Sequence, residues 1–480
     1  MKNLAFILFL CFFLIYCKND KIANPGSTQI SEVQNTLNPL GVSSEQLIEG
    51  SYLFYLDENQ FAPIVNEAKE DNEGQINPDI ILSKKKVIQD YFKQEHDITI
   101  NDEDIFVISF SGFLMENLSK KDAERIKGHQ YVVAAQQNFT FQNIRPSMQS
   151  NPIPENIRPS MQNNQEWQYD SQNKTSTNVS FVNPLNIVGS EEHKIWIVDT
   201  GIDGTHKDLN VIGTVMEGGV NVEYSKSFVP NEDDPLIDSL GHGTHCAGIA
   251  SGKAHAPNDP NQIGMNGVSP GAPVVSIKVI NKNGFGIWAK VVKALEHVYS
   301  LANPGDIVNM SIGAEWQGAS SINYCSNPNG NLNKVLKQIV NLATKKHVYV
   351  VIAAGNEAIK SEDYFPGCYV PTSTNDSTIT VASIKTTFDF QQGIYLTPVY
   401  SNFSSFKSPT IDFVSPGEEM FSTFPGNSYR VMSGTSMSTA LMAGIIHARG
   451  SLPGGTSAEK VNGLSSNNDS GSQYPIGKVN

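Results

Sequence analysis

Lys194-Ile195-Trp196-Ile197-Val198-Asp199-Thr200-Gly201 reads as a β-strand that stops on a carboxylate. The strand residues do not alternate with polar ones, and the chain then turns on Asp, Thr and Gly. A strand without alternation is buried on both faces, which is the habit of parallel sheets. The same pattern recurs at 274–279, 307–311 and 348–352, and Ile379-Thr380-Val381-Ala382 adds a fifth strand. Between them, Trp288, Val291, Val292, Leu295 and Val298 have helical spacing, as do Leu332, Val335, Leu336, Ile339 and Ala343. Strands alternating with helices predict an α/β fold: a three-layer sandwich with a parallel central sheet covered on both faces.

Upstream, the pattern changes to a small α+β unit. Ser51-Tyr52-Leu53-Phe54-Tyr55-Leu56, Phe106-Val107-Ile108-Ser109-Phe110 and the run starting Tyr131-Val132-Val133-Ala134 read as strands. Residues 87–95 suit a helix, and Ser119 caps another through Ile126. Two copies of one heptapeptide follow, Asn143-Ile144-Arg145-Pro146-Ser147-Met148-Gln149 and Asn156-Ile157-Arg158-Pro159-Ser160-Met161-Gln162, with Pro152 and Pro154 between them. Two copies are too few for a solenoid. Text rich in Pro, Asn and Gln reads as an exposed linker, where proteolytic cuts concentrate. The expected organisation is residues 1–17 as a signal peptide, 18–48 as a polar tether, 49–142 as the α+β unit, 143–166 as the linker and 167–480 as the sheet domain.

The 480 residues leave room for two or three domains. Hydrophobic residues at 39% are enough for sizeable cores. Lys+Arg 34 against Asp+Glu 48 gives a net charge of −14, which argues against nucleic acid or an anionic membrane as partner. Lys2 precedes an apolar run at 4–16 that is too short to span a bilayer and reads as an export signal. Cys17 closes that run and resembles a bacterial lipoprotein processing site, although Tyr16 is not the small residue such sites prefer. A lipid anchor at Cys17 is the one membrane attachment expected. Cys246, Cys325 and Cys368 remain; being odd in number, they allow at most one bridge, with Cys325–Cys368 the plausible pair because Cys246 sits inside a motif. No CxxC pair is present, which disfavours a thiolate zinc site.

Three segments carry chemistry: Val198-Asp199-Thr200-Gly201-Ile202-Asp203, Gly241-His242-Gly243-Thr244-His245-Cys246-Ala247-Gly248 and Gly434-Thr435-Ser436-Met437-Ser438. A hydroxyl is a poor nucleophile at neutral pH, so an imidazole must take its proton and a buried carboxylate must orient that imidazole. A fourth segment, Ala353-Ala354-Gly355-Asn356, ends a strand and places an amide that can donate to an oxyanion. Taken singly, each residue also reads as a cap or a structural group. Jointly, they sit where strands end or helices begin, the usual ligand rim of an open α/β sheet.

Residues 167–480 resemble the subtilisin-like serine peptidases. The resemblance implies that Asp199 orients the imidazole, His242 acts as base and then acid, Ser436 attacks the peptide carbonyl, and Asn356 with the Ser436 N–H holds the oxyanion. It implies substrate-flanking strands at Gly284-Phe285-Gly286 and Ser311-Ile312-Gly313 and a pocket wall at Ala353-Ala354-Gly355. It also implies no cofactor for catalysis and a structural calcium held by Asp208, the Asn261 side chain and the Ile263 and Met265 carbonyls. Oxygen donors suit that ion; the plain alternative for Asp208 is a solvated carboxylate. Cys246 resembles a cysteine of the proteinase K-like branch, or is a small packing residue. Ala440 departs from the pattern, which carries Pro there, and Leu441 replaces a His. The unit at 49–142 resembles the family's inhibitory propeptide, which makes the chain a zymogen cut in the duplicated linker.

The expected partners are protein or peptide substrates and the chain's own propeptide, and a monomer is expected. Two other readings stand beside this one. A catalytically dead binding protein on the same fold rests on Ala440. A lipid-anchored surface adhesin rests on Cys17.

Overall fold

A computed structural model describes residues 44–67, 76–142, 147–148, 153–154, 168–259, 262–315, 325, 334–371, 373–406, 409–454, 459–463, 469 and 471–479. The expected signal peptide, most of the tether, Leu332 and the second heptapeptide lie outside them.

The first unit runs β1 (Leu47–Leu56), α1 (Pro78–His96), β2 (Ile105–Phe106), β3 (Gly112–Met115), α2 (Lys120–Lys127) and β4 (Val132–Gln142). Its antiparallel sheet has the order β2-β3-β1-β4. Ser119 caps α2 by accepting from the Asp122 N–H, as its sequence predicts. Phe92 of α1 meets Phe113 of the sheet edge-on at 4.9 Å, Phe113 stacks on Phe54, and Ile126 of α2 is buried in the same cluster. The strand expected at 106–110 is a correction. Only Ile105–Phe106 pairs as strand, because the next residues turn their backbone to other partners: Val107 and Ile108 carbonyls accept from Ile64 and Val65.

Two short strands follow, β5 (Ser147–Met148) and β6 (Ile153–Pro154). The second unit is built on β7 (Ile195–Asp199), α3 (His242–Ser251), β8 (Val274–Lys278), β9 (Phe285–Ile287), α4 (Trp288–Leu301), β10 (Ile307–Met310), α5 (Lys334–Thr344), β11 (Tyr349–Ala353), β12 (Thr378–Lys385), β13 (Phe413–Pro416), β14 (Met420–Phe424), β15 (Ser428–Ser433) and α6 (Thr435–Arg449). The strands β8-β7-β10-β11-β12-β13 pair in parallel in that order; Lys226–Ser227 extends the sheet beside β8, and Val399–Tyr400 joins β12 antiparallel.

Successive side chains of β7 point to opposite faces. Trp196 and Val198 join the core formed with α4 and α5. Ile195 and Ile197 join the core formed with α3 and α6. This alternation makes the three layers. The sheet order places β7 and β10 near its centre, so the residues after them emerge at mid-rim.

The two units share one hydrophobic cluster. The Trp288 ring stacks on Phe139 at 5.6 Å between centroids and meets Phe141 edge-on at 5.3 Å. Cys325 and Cys368 form a disulfide with a Cα–Cα distance of 5.7 Å, and Cys246 is free and buried. No helix among the described residues is long and apolar enough to cross a membrane.

Candidate active site

Asp199 is the last residue of β7 and is fully buried. His242 is the first residue of α3, whose cap, Gly241, has φ +80°. The helix can start this close to β7 only because residue 243 is glycine: a Cβ there would lie 2.1 Å from the Gly201 carbonyl. The result is a short pairing of His242 Nδ1 with Asp199 Oδ1 at 2.7 Å and Oδ2 at 2.9 Å. Burial pushes the His242 imidazole down, but the Asp199 charge and hydrogen bond, with Asp238 behind them, raise it above its ordinary value overall. Nδ1 donates to the carboxylate, so Nε2 is the acceptor nitrogen of the neutral ring. Nε2 is buried and has no partner among the described residues.

Ser436 lies in the first turn of α6, immediately after β15. Its carbonyl accepts from Ser311 Oγ at 3.1 Å and faces Cys246 Sγ at 3.9 Å, one turn along α3 from His242. The serine is therefore seated between the α3 start and the β10 end. Its Oγ is turned to the Ser311 carbonyl at 3.5 Å and makes no hydrogen bond with the imidazole. The expected acid–imidazole–alcohol chain is thus made at its first link and open at its second. Such links are often loose until a substrate is bound.

Asn356 follows β11. Its Oδ1 accepts from the Thr435 N–H at 2.8 Å and from Thr435 Oγ1 at 2.9 Å. Both donors fix the oxygen, so Nδ2 is the outward end, and it is buried without a partner among the described residues. An unsatisfied buried donor is costly. Here one stands beside the residue preceding Ser436, and an unsatisfied acceptor stands on His242.

The sequence-predicted flanking residues also converge. Ser311, Ile312 and Gly313 continue from β10, and Ala353, Ala354 and Gly355 continue from β11; all six are buried. Gly355 donates its N–H to Thr435 Oγ1 at 3.2 Å. Gly284 precedes β9, and Phe285 and Gly286 lie in it. There β4 adds antiparallel, with Phe285 opposite Gln142 and Gly286 opposite Phe141. A Cβ on residue 286 would meet the Phe141 ring at 2.4 Å. Beyond the four residues after Gln142, the chain reappears as β5, with Ser147 opposite Ser433 of β15, three residues before Ser436.

The expected calcium ligands are a correction. Asp208 is neither solvated nor open to a cation. Its Oδ1 accepts from the His255 N–H at 2.8 Å and His255 Nδ1 at 2.6 Å, and its Oδ2 from the Met265 N–H at 2.7 Å and Tyr429 Oη at 2.8 Å. The Ile263 carbonyl lies 3.3 Å from the same Tyr429 hydroxyl, whose one proton points to the nearer Asp208. Asn261 lies outside the described residues. Four donors on one carboxylate leave no lone pair facing a cation, so this arrangement does not fit the ion. One group of potential metal donors forms among the described residues, Asp199, His242 and Cys246, all within 4.8 Å of one another. That closeness is the acid–imidazole hydrogen bond with a thiol beside it.

The subtilase family profile (Peptidase S8) matches residues 190–462. The chain belongs to the subtilase family. It is 32% identical over 254 residues to subtilisin amylosacchariticus of Bacillus subtilis subsp. amylosacchariticus, covering 52% of this chain and 53% of that protein. It is 30% identical over 290 residues to thermitase of Thermoactinomyces vulgaris, covering 60% of this chain and 86% of that protein. This subtilase thus spans about half the length of the first curated relative it matches. A solved cold-adapted subtilisin-like serine proteinase aligns at 23% identity and TM-score 0.42, over 57% of this chain and 84% of that one.

Sequence reasoning missed several residues of this subtilase's site. His245 donates from Nε2 to the Met420 and Arg430 carbonyls, tying α3 to the β14–β15 hairpin. Burial lowers it to about 3, so it stays neutral. Thr435 orients Asn356 from inside the serine motif. Lys278 and Glu296 carried no signal, because their partners are distant in sequence, and the same holds for the bond of Asp238 to Thr200, 38 residues away.

Proposed function

We propose that this subtilase is an exported serine endopeptidase made as a zymogen. The observation that carries this reading is the pair of unsatisfied groups flanking Ser436: the His242 Nε2 acceptor, with Asp199 fixed behind it, and the Asn356 Nδ2 donor. When a peptide carbonyl enters, Ser436 Oγ rotates from the Ser311 carbonyl and passes its proton to His242 Nε2. Asp199 stabilises the resulting imidazolium. The tetrahedral oxygen takes a hydrogen bond from Asn356 Nδ2 and from the Ser436 N–H at the α6 start. His242 then returns the proton to the leaving amine.

Substrate binds by strand addition along Gly284–Gly286 and Ser311–Gly313, with Ala353–Gly355 walling a pocket for large apolar side chains. The 49–142 unit is read as an inhibitory propeptide, and the antiparallel pairing of β4 with β9, the strand expected to flank a substrate, supports that reading. Gln142 on one rim and Ser147 on the other bracket the maturation cut, within 143–166. Residues 1–17 direct export and 18–48 are a tether. The buried Cys246 supports a place in the proteinase K-like branch. Asp208 is given no calcium role, because its donors are already in place.

Ser436→Ala tests the reading. The variant should hydrolyse no casein and should accumulate as uncut precursor. A variant that matures normally in isolation and still digests casein overturns it. A serine-directed fluorophosphonate probe should label the wild type and not the variant; absence of label on the wild type would favour the binding-protein reading that Ala440 suggested.

A further inference from the structure

Asp238, in the turn before α3, is a carboxylate with only 5% of its surface exposed, and no step above uses it. Its Oδ1 accepts from Thr200 Oγ1 at 2.9 Å, the Gly241 N–H at 2.7 Å and the Leu240 N–H at 3.2 Å. Its Oδ2 accepts from the Thr244 N–H at 2.9 Å and Thr244 Oγ1 at 2.7 Å. Thr200 in turn donates its N–H to Asp199 Oδ1 at 2.7 Å and accepts from the Gly243 N–H at 2.9 Å. One carboxylate thereby ties the residue after Asp199 to the residues on both sides of His242. Lys278, buried at the end of β8, closes the knot from below: its Nζ donates to the Thr200 and Ile237 carbonyls and pairs with Glu232 at 3.3 Å.

We propose that Asp238 is a positioning residue for the reaction. It sets the register of α3 against the end of β7, and its charge supports the imidazolium that His242 becomes. This rests on the serine-peptidase reading. Capping α3 explains the Thr244 bonds. It does not explain Thr200, which belongs to the strand that carries the acid. The titratable groups facing His242 are Asp199 from β7, Asp238 from the turn, and His245 and Cys246 from its own helix; α6 brings Ser436. Asp199 and Asp238 alone among them add negative charge, since His245 stays neutral and burial holds the Cys246 thiol protonated. The His242 imidazole is raised by both carboxylates, with Asp199 the larger contributor.

The test uses protein expressed from the whole chain and assayed after maturation, with three variants. Asp238→Asn should lower kcat by about tenfold or more, with KM nearly unchanged. It should also move the acidic limb of the kcat/KM pH profile to lower pH. Thr244→Ala weakens the helix cap and keeps the charge, so it should lower Tm and leave that limb in place. Thr200→Val cuts the link to the Asp199 side, keeps the Asp238 charge and its bonds to Gly241 and Thr244, and leaves the buried Gly243 N–H without its acceptor, so it should lower both kcat and Tm and leave that limb in place.

An acidic limb that stays put in Asp238→Asn, with a kcat loss no greater than that of Thr244→Ala, would reduce Asp238 to a helix cap and overturn the proposal. If Asp238→Asn fails to fold, Thr200→Val decides: full kcat overturns the proposal and a reduced kcat sustains it. A wild type that neither labels with fluorophosphonate nor digests casein would instead sink the peptidase reading, which separates the two failures.

Discussion

The described residues include two aspartate–histidine pairs of nearly the same length, the fully buried Asp199–His242 at 2.7 Å and Asp208–His255 at 2.6 Å, whose imidazole is partly exposed. In the second, everything closes. Met265 and Tyr429 take the other carboxylate oxygen, and the His255 ring reaches Gln262 Oε1 at 3.2 Å. In the first, the far nitrogen of the ring has no partner among the described residues. A closed circuit of hydrogen bonds holds distant segments together. An open one keeps a polar atom desolvated and unsatisfied, which is costly unless a reacting group completes it. The local chemistry of the two pairs is the same, so their difference lies in what the rest of the fold supplies to the outer nitrogen.

Substituting each imidazole should separate the two pairs most sharply. His242→Ala should reduce kcat/KM by about 10⁴–10⁶-fold with little change in Tm. His255→Ala should destabilise the fold by about 1–3 kcal/mol, because Asp208 loses a donor while buried, and should leave kcat per folded molecule unchanged. Steady-state kinetics and denaturant melts on both variants check this; a large kcat loss in His255→Ala would erase the distinction.

The second open group predicts a smaller effect. Asn356→Ala should lower kcat by about 10²–10³-fold with KM nearly constant, since its free Nδ2 matters only once charge develops on the oxygen. An equal rise in KM would mean that Asn356 binds the ground state instead.

A third buried carboxylate sharpens the contrast at the junction of the two units. Glu296 of α4 accepts the Ile108 and Ser109 N–H groups, each at 3.3 Å. Burial pushes it up to about 8, with Ile108, Ser109 and Lys85 opposing. An acid whose value rises on docking binds more protons when docked. Its contribution to docking is therefore complete below the ordinary carboxylate range and is lost as pH climbs toward about 8. In the zymogen reading proposed above, release of the cut N-terminal unit should speed up by at most about tenfold per pH unit over that window. Gel filtration across pH should follow this for the wild type, and Glu296→Gln should flatten it.

The sheet was legible because its strands are mostly apolar runs, and Asp199, His242, Asn356 and Ser436 were candidates because each lies at or just past the end or start of an element beside small residues. Asp208 was misread. Its carboxylate looked available, but Tyr429 lies 221 residues away and His255 47 away, so nothing local signals that its lone pairs are filled. The 107–109 stretch was taken for strand on its β-branched residues, yet its amides serve Glu296, 187 residues downstream of Ser109. The rotamer of Ser436 left no trace in the sequence, because a hydroxyl chooses among acceptors only after the backbone around it is fixed.

The chain runs unbroken from β4 on one rim of the site to β5 on the other. In the zymogen reading proposed above, a self-catalysed cut between them needs no diffusional search. That first turnover would be unimolecular, with a half-time indifferent to dilution. Every later one waits on collision with another peptide.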